Sequence, residues 1–459
     1  MIKLRLTGGQ HAALVNHLYP GDNKEAVALG LCSRSFTSEG HTLCLKEIHP
    51  IPHDKCFQRE EDYVHWPTDM LKPLLEVAEK HNYAILKIHC HPGGGEFFSH
   101  IDTKSDRELF SGIHQWLDTN LPHVSCIMLP DGRIFGRAFD RDLNEQRIQQ
   151  ISVAGANIYQ WHYQPVEGLN EALQARNLQA FGKGTMLMLS RMKIGVVGCS
   201  GTGSIVIEQL KRYGVGSFVL VDPDTIDFVN LNRIIGSTHS DAEMKVLKTS
   251  VMKREIEEVG FKTTITVYPS HISEANVVKD LADCDILFGC VDGAEGRHIL
   301  NLISSCYLIP YFDLGVRLDA DGVGGISGIY GTVHYIQPGG SSLLSRGAYS
   351  VGKLLAETTK RQNAEAYARN QYLAAVGESS PAVITVNMKA AATAVEDFLA
   401  RIHPYRIIPN SEIDAIRIIF ATSETTTVNY KDKSCEFFDK YVGIGDVKPL
   451  LRIDELGRD

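Results

Sequence analysis

The stretch KIGVVGCSGTGSIVIEQLKRYG, residues 193–214, constrains the fold more than any other part of the chain. An apolar run ends in a glycine-rich turn, an amphipathic segment follows, and a second apolar run, SFVLVD, begins at Ser217. A strand, tight turn, helix and strand in that order bury both apolar faces only as a parallel pair with the helix laid across it. The alternation continues with a helix expected from Lys245 to Val259, a strand from Thr263 to Tyr268, a helix from Glu274 to Ala282 and the apolar run DILFGCVD. Beyond Pro310 the strand-like runs turn glycine-rich, as in GISGIYGTVHYIQPGG, and a last helical run covers Ala382 to Arg401. IRIIFATSETTTVNY reads as strand within the weakly patterned tail from Ser411.

Gly198, Gly201 and Gly203 open the helix after the first strand, where backbone N–H groups and the helix dipole can approach phosphates. The G-x-x-G-x-G spacing departs from the G-x-G-x-x-G dinucleotide fingerprint and counts against a dehydrogenase. Asp222 closes the second strand, 24 residues past Gly198, where a carboxylate accepts hydrogen bonds from a ribose. A ribonucleotide fits that pattern.

The first ~158 residues read as a separate α/β domain. MIKLRLTGG reads as a first strand, EAVALGLC and AILKIHC as further strands, and Met70–His81 and Ser105–Asn120 as helices. His89 and His91 stand two apart at a strand end, so both imidazoles share a face and reach one ion. Asp102 follows His91 by eleven residues, across a glycine-rich turn that lets a third ligand fold back. Three protein ligands and an open position for water describe a catalytic zinc site. Patternless residues from Asn157 to Gln164, next to Pro165, suggest a boundary, and LNEALQARNLQAFGKG then looks helical, ending at its glycines.

Several function classes are excluded or disfavoured. No apolar run approaches the ~18 residues a membrane span needs, and the N-terminus lacks the apolar core of an export signal, so a cytoplasmic protein is expected. A net charge of −9 with no basic block makes nucleic acid an improbable partner. Ten cysteines spread without a C-x-x-C pair favour reduced, mostly packed thiols.

The continuation VDPDTIDFVNLNR closely resembles the D-x-D-x-V-x-x-S-N-L-N-R signature of the ubiquitin-activating, ThiF and MoeB adenylating enzymes, with Val229 in place of the serine. The resemblance implies a Rossmann-like, mostly parallel sheet binding ATP and magnesium, in a head-to-head homodimer. It puts Asp222 on the ribose, Asn230, Arg233 and Lys248 on the phosphates with Lys245 as a near competitor, and Asp292 on magnesium; Arg297 and Asn301 continue that last motif. Arg176 corresponds to the arginine that crosses to the partner's ATP. The family's structural zinc should be absent, since both its C-x-x-C pairs are missing. No cysteine lies between Gly339 and Pro381, where activating enzymes carry their nucleophile, which leaves Cys435 as the alternative thiol.

The earlier segment H-x-H-P, with seven residues between His91 and Ser99 and then S-x-x-D, is similar to the JAMM (MPN) metalloprotease motif. That resemblance implies His89, His91 and Asp102 as zinc ligands, Glu25 as general base and Ser99 as an oxyanion-stabilising hydroxyl. The expected organisation is 1–158 JAMM-like, 159–410 adenylating and 411–459 a strand-rich tail.

Together the two resemblances imply one substrate, a ubiquitin-like protein whose C-terminal glycine is exposed or released by the first site and adenylated by the second. Such fusions resemble prokaryotic ubiquitin-like conjugation systems, some linked to antiviral defence, and leave room for a ubiquitin-conjugating-type enzyme as a second partner. Activation of a sulfur-carrier protein is the alternative. A degenerate scaffold that binds a ubiquitin-like partner is the third reading.

Overall fold

In the computed structural model, residues 1–163, 169–321, 323–369, 383–431, 433 and 435–457 are described. Gln164, Pro165, Pro381, Ala382 and Asp459, named above, lie outside the described residues. The chain divides into two units. One comprises Met1–Val166, Cys306–Leu308 and Tyr441–Lys448; the other comprises Glu167–Ser305, Ile309–Lys440 and Pro449–Asp459.

The first unit runs β1 (Ile2–Thr7), α1 (Gly8–Leu18), β2 (Val27–Thr37), β3 (Gly40–Pro50), β4 (Gln58–Arg59), β5 (Val64–His65), α2 (Lys72–His81), β6 (Ala84–Cys90), α3 (His100–Leu117), β7 (His123–Met128), β8 (Ile134–Phe139), β9 (Glu145–Arg147), β10 (Gln150–Ala154) and β11 (Ile158–His162). Nine strands form one mixed sheet in the order β11-β10-β1-β3-β2-β6-β7-β8-β9. Period-two alternation sorts each strand between two cores. Along β6, Ala84, Leu86, Ile88 and Cys90 join the core that includes Leu14 and Leu18 of α1. Ile85 points to the opposite core with Leu74 and Leu75 of α2 and Phe110 and Ile113 of α3. Lys87 and His89 share the face of Ile85.

Residues Asn157–Gln164, expected to be patternless, include β11, which pairs antiparallel with β10, so the sheet passes the expected boundary at 158. Its exposed Tyr159 and half-buried Trp161 hid the alternation. Helix α3 starts at His100, ahead of the expected Ser105, because Ser99 caps it: Ser99 Oγ accepts from Asp102 N, and Asp102 Oδ2 accepts from Ser99 N. S-x-x-D before a helix is itself a capping-box signature.

The second unit runs α4 (Glu171–Leu189), β12 (Lys193–Val197), α5 (Gly201–Arg212), β13 (Ser217–Val221), α6 (His239–Glu243), α7 (Lys248–Val259), β14 (Thr264–Tyr268), α8 (Ala275–Ala282), β15 (Ile286–Gly289), α9 (Ala294–Tyr307), β16 (Tyr311–Ala320), β17 (Ile326–Ile336), α10 (Val351–Gln362) and α11 (Ala364–Arg369). The helix Ile384–Ile402 and strands β18 (Ala415–Ile419) and β19 (Glu424–Val428) follow. Sheet order is β14-β13-β12-β15-β16-β17-β18-β19. β14 through β16 in that order pair in parallel, whereas β16 to β19 pair antiparallel. The sheet is thus mixed, where a mostly parallel one was expected: after Pro310 hairpins and a returning tail replace the helical crossovers that parallel pairing needs. Of the tail, β18 and β19 extend this sheet, while its other described residues form short helical turns and loops. Helix α4 continues past the glycines expected to end it, with a break at Gly182 (φ 74°). No described helix is long and apolar enough to cross a membrane.

Candidate functional site

In the second unit the strand order reverses between β12 and β15, because β12 is followed by β13 on one side while β15 takes the other. Ligands of open α/β sheets bind at the carboxyl ends of strands flanking such a reversal. Gly198 N donates to Val221 O and Cys290 N to Val197 O, both at 2.8 Å, so the three strand ends are tied together. A cavity of about 260 Å³ opens there, lined by Gly198, Asp222, Asp224, His271, Asp292 and Glu295 among others. Gly198 has φ 93°, and a Cβ on Gly203 would sit 1.8 Å from Gly198 O, so the turn closes only with glycine at both positions.

Asp222 is buried, and its carboxylate accepts from Cys199 N at 2.7 Å and Asp224 N at 2.9 Å. Burial raises its pKa, opposed by the Lys248 ammonium. Lys248 opens α7, with Nζ 2.7 Å from Asp224 Oδ2 and 3.7 Å from Asp222 Oδ1. Lys245 pairs with Asp227, and neither lysine is part of the cavity lining. Asp292 lines the cavity, and its carboxylate has no hydrogen bond or ion pair among the described residues, which leaves a hard oxygen donor suited to magnesium.

Other expected residues are placed differently. Arg233 is absent from the cavity lining: its stem passes Gly201, whose Cβ would lie 3.2 Å from Arg233 Cδ, and Nη1 donates to Val229 O at 2.6 Å. Asn230 Oδ1 accepts from Asp227 N, a capping contact. Arg176 is exposed on α4 and bonds Gln179 Oε1. Arg297 is committed to Asp313, and Asn301 Oδ1 to Leu343 N. Cys435 is buried, with Ser342 Oγ 2.9 Å from its sulfur, which removes it as a ready nucleophile.

Sequence reasoning missed His271, Glu295, Glu357 and Asn387. Glu357 Oε2 accepts from Glu295 N at 2.9 Å, while Arg361 binds the Glu295 carboxylate through Nη2 at 2.8 Å and Nε at 3.0 Å. Asn387 Nδ2 stands where it would meet a Gly201 Cβ at 2.4 Å. Nothing in the pattern of α10 or of Ile384–Ile402 distinguishes Glu357 or Asn387 from ordinary helix polar residues.

In the first unit, ligand atoms of Glu25, His89 and His91 lie within 4.8 Å of one another. His89 Nε2 is 3.0 Å from Asp102 Oδ1, and His91 Nε2 is 3.6 Å from Asp102 Oδ2 and 3.8 Å from Glu25 Oε1. His89 is 1% exposed; its Nε2 faces Asp102, while its Nδ1 makes no hydrogen bond among the described residues. Buried polar atoms are nearly always partnered, so the bare Nδ1 is unusual for a buried ring. His91 Nδ1 lies 2.8 Å from Gly95 O and Nε2 faces two carboxylates; against the effect of burial, Asp102, Gly95 and Glu25 raise the His91 pKa. A proton or a metal cation at Nε2 satisfies these carboxylates, and the two imidazoles with carboxylate oxygens are a donor set suited to zinc.

Burial raises the Glu25 pKa to about 7 against the pull of His91, and lowers that of His89 to about 4, with Lys87 adding to it. Burial also opposes ionisation of Asp102, but His89, His91 and Ser99 together hold it well below the usual carboxylate range. Ser99 Oγ lies 2.7 Å from Asp102 Oδ2 and gives its proton there, so any oxyanion must displace that bond.

The family model described as "ThiF family" matches residues 173–435. The adenylyltransferase and sulfurtransferase UBA4 of Meyerozyma guilliermondii is 32% identical over 126 residues, 28% of this chain and 29% of that protein. Ubiquitin-like modifier-activating enzyme 5 of Bombyx mori is 26% identical over 160 residues, 32% of this chain and 38% of that protein. The matches therefore span well under half the length of these relatives. Microcin C7 biosynthetic enzyme MccB in complex with N-formylated MccA aligns with TM-score 0.45 and 19% identity, over 58% of this chain and 74% of that one.

Proposed function

The chain belongs to the ThiF family, and from that premise we propose that its second unit uses ATP to adenylate the C-terminal glycine carboxylate of a ubiquitin-like or sulfur-carrier protein. The observation that carries the reading is the convergence of Asp222, Asp224, Lys248 and Asp292 with the Gly198 turn at the reversal in strand order. The partner's carboxylate oxygen bonds to the α-phosphorus, the α–β anhydride bond breaks and pyrophosphate leaves, with no net proton transfer. Asp222 orients the ribose, the Gly198–Gly203 turn receives phosphate oxygens on its N–H groups, and Lys248 offsets charge on the leaving group. Magnesium, held by Asp292, supplies further neutralisation when bound. Arg233 joins the site by releasing Val229 O, and Asn230 holds the turn that carries it. Arg176 reaches the ATP of a second copy, which makes the enzyme a homodimer.

For the first unit the reading is a zinc-dependent isopeptidase that processes or deconjugates the same partner, in a cytoplasmic setting. The convergence of His89, His91, Asp102 and Glu25 favours it over a scaffold. Zinc supplies Lewis acidity when bound to His89, His91 and Asp102. Glu25, a buried carboxylate beside the ligands, takes and returns the proton of the attacking water, and Ser99 redirects its hydroxyl to the developing oxyanion.

The test is ATP–pyrophosphate exchange with small partners ending in glycine, expected to vanish in Asp292→Ala. An absence of exchange with every such partner would overturn the adenylation reading. About one zinc per chain is expected, lost in the His89→Ala, His91→Ala double variant, and a zinc-free wild type would overturn the peptidase reading.

A further inference from the structure

A buried cluster of charges lies directly behind the metal-site residues, and neither motif includes it. Lys87 on β6 is 4% exposed, Asp106 on α3 is 0% exposed and Arg137 on β8 is 7% exposed. Lys87 Nζ is 2.8 Å from Asp106 Oδ1, and Arg137 Nη2 is 2.8 Å from Asp106 Oδ2. One carboxylate is thus held between two cations.

The spacing gives the cluster its meaning. Residues Ile85, Lys87 and His89 form one face of β6, two positions apart and about 6.6 Å per step. Residues Asp102, Asp106 and Phe110 form one stripe of α3, four positions apart and about 6 Å per step. The two rows run in opposite directions with nearly equal spacing, so they pair as a ladder: His89 with Asp102, Lys87 with Asp106, and Ile85 with Phe110 in the core. Apolar contact alone resists sliding weakly, whereas an ammonium, a carboxylate and a guanidinium fork meet only in one register. Arg137 extends the hold to the ligand loop. Its Nη1 donates to Thr103 Oγ1 at 3.1 Å, and its guanidinium carbon lies 3.9 Å from the ring centre of Phe98, the residue before Ser99.

We propose that Lys87, Asp106 and Arg137 are positioning residues of the metal site, which lock α3 and the Phe98–Ser99 turn against β6 so that Asp102 meets His89 and His91. The inference rests on the metal-binding reading of the first unit. It concerns placement of the ligands and not the charge state of any of them. A buried ion cluster contributes little net stability compared with well-packed apolar groups, so its value here is the register it imposes.

The test uses the full chain, stripped of metal with a chelator and titrated with zinc by calorimetry. ATP binding at the second unit and thermal melting serve as controls. Asp106→Asn should weaken zinc roughly 10–100-fold, with ATP binding unchanged. The double variant Lys87→Met, Asp106→Leu replaces the ion pair by apolar volume. It should melt near the wild-type temperature and still bind zinc at least tenfold more weakly, a separation that a purely structural role does not produce. Arg137→Lys keeps the charge and loses the fork and the Phe98 contact, and should weaken zinc severalfold; it carries the test if the double variant does not fold. Equal zinc affinity in wild type and folded variants would overturn the positioning role alone, whereas a wild type that binds no zinc would overturn this inference together with the metal site.

Discussion

Replacing Asp222 by alanine separates the structural and functional demands on one carboxylate. Its two backbone bonds, at 2.7 Å from Cys199 N and 2.9 Å from Asp224 N, differ in the cost of losing them. Asp224 is exposed, so water replaces the acceptor at little cost. Cys199 is 0% exposed, and its N–H is left with no acceptor, a penalty of about 1–3 kcal/mol. Burial already raises the Asp222 pKa, so removing the charge returns part of that loss. The balance is a destabilisation of about 1–2 kcal/mol, or roughly 2–8 °C in melting temperature for a unit of this size. Asp222→Asn keeps one carbonyl acceptor and should melt closer to wild type. Both variants should lose ATP binding at least tenfold, and with it the rise in melting temperature that saturating ATP gives the wild type. Differential scanning calorimetry with and without ATP reads both effects. An Asp222→Asn protein whose melt shifts with ATP as the wild type does would refute the assignment of this carboxylate to the nucleotide.

Gly203→Ala places a methyl group 1.8 Å from the Gly198 carbonyl oxygen, a backbone clash that no rotamer relieves, so urea titration should show a loss of about 3 kcal/mol or more, with no pyrophosphate exchange. Ser99→Ala should cost about 1 kcal/mol through loss of the α3 cap, while Ser99→Thr keeps most of it; equal melting of both would mean the cap contributes nothing. His298, with burial holding its pKa near 4, is neutral in the fold. The unfolded chain takes up the proton first as pH falls, so this stability is complete above about pH 6.5 and is lost toward pH 4, by about 3 kcal/mol at most. His298→Gln should flatten that acid limb in denaturant titrations across pH, and an unchanged slope would refute the assignment. Cys435→Ser should leave pyrophosphate exchange intact, since the thiol is packed against Ser342 and takes no part in adenylation.

The parallel half of the second sheet was legible because buried strands and amphipathic helices write their periods directly into the apolar pattern, as KIGVVG and SFVLVD do. The strands of the antiparallel half were legible as strands, IRIIFATSETTTVNY among them, but their antiparallel pairing was not, because β19, with exposed Glu424–Thr427, carries no apolar stripe that fixes its neighbour. In the first unit His89 and His91 could be placed on one face from spacing alone, yet nothing in the sequence pattern singles out Lys87, which lies in the same stripe. Its role depends on Asp106, nineteen positions away and visible only once α3 is laid on β6. Glu357 and Arg361 were hidden for the same reason, since helix polarity does not show which side chain turns back toward a cavity.

The segment Tyr441–Lys448, which belongs to the first unit, comes after nearly all of the second in sequence. Asp446 N donates to Arg34 O at 2.8 Å, and its carboxylate accepts from Phe36 N at 2.9 Å, so these contacts with β2 wait for residues translated about four hundred positions later. A ribosome therefore releases an unfinished first unit, and expressing residues 1–166 alone would yield a protein with β2 backbone groups bare and prone to find other chains. Dissection of the two proposed activities is better done by point substitution than by cutting.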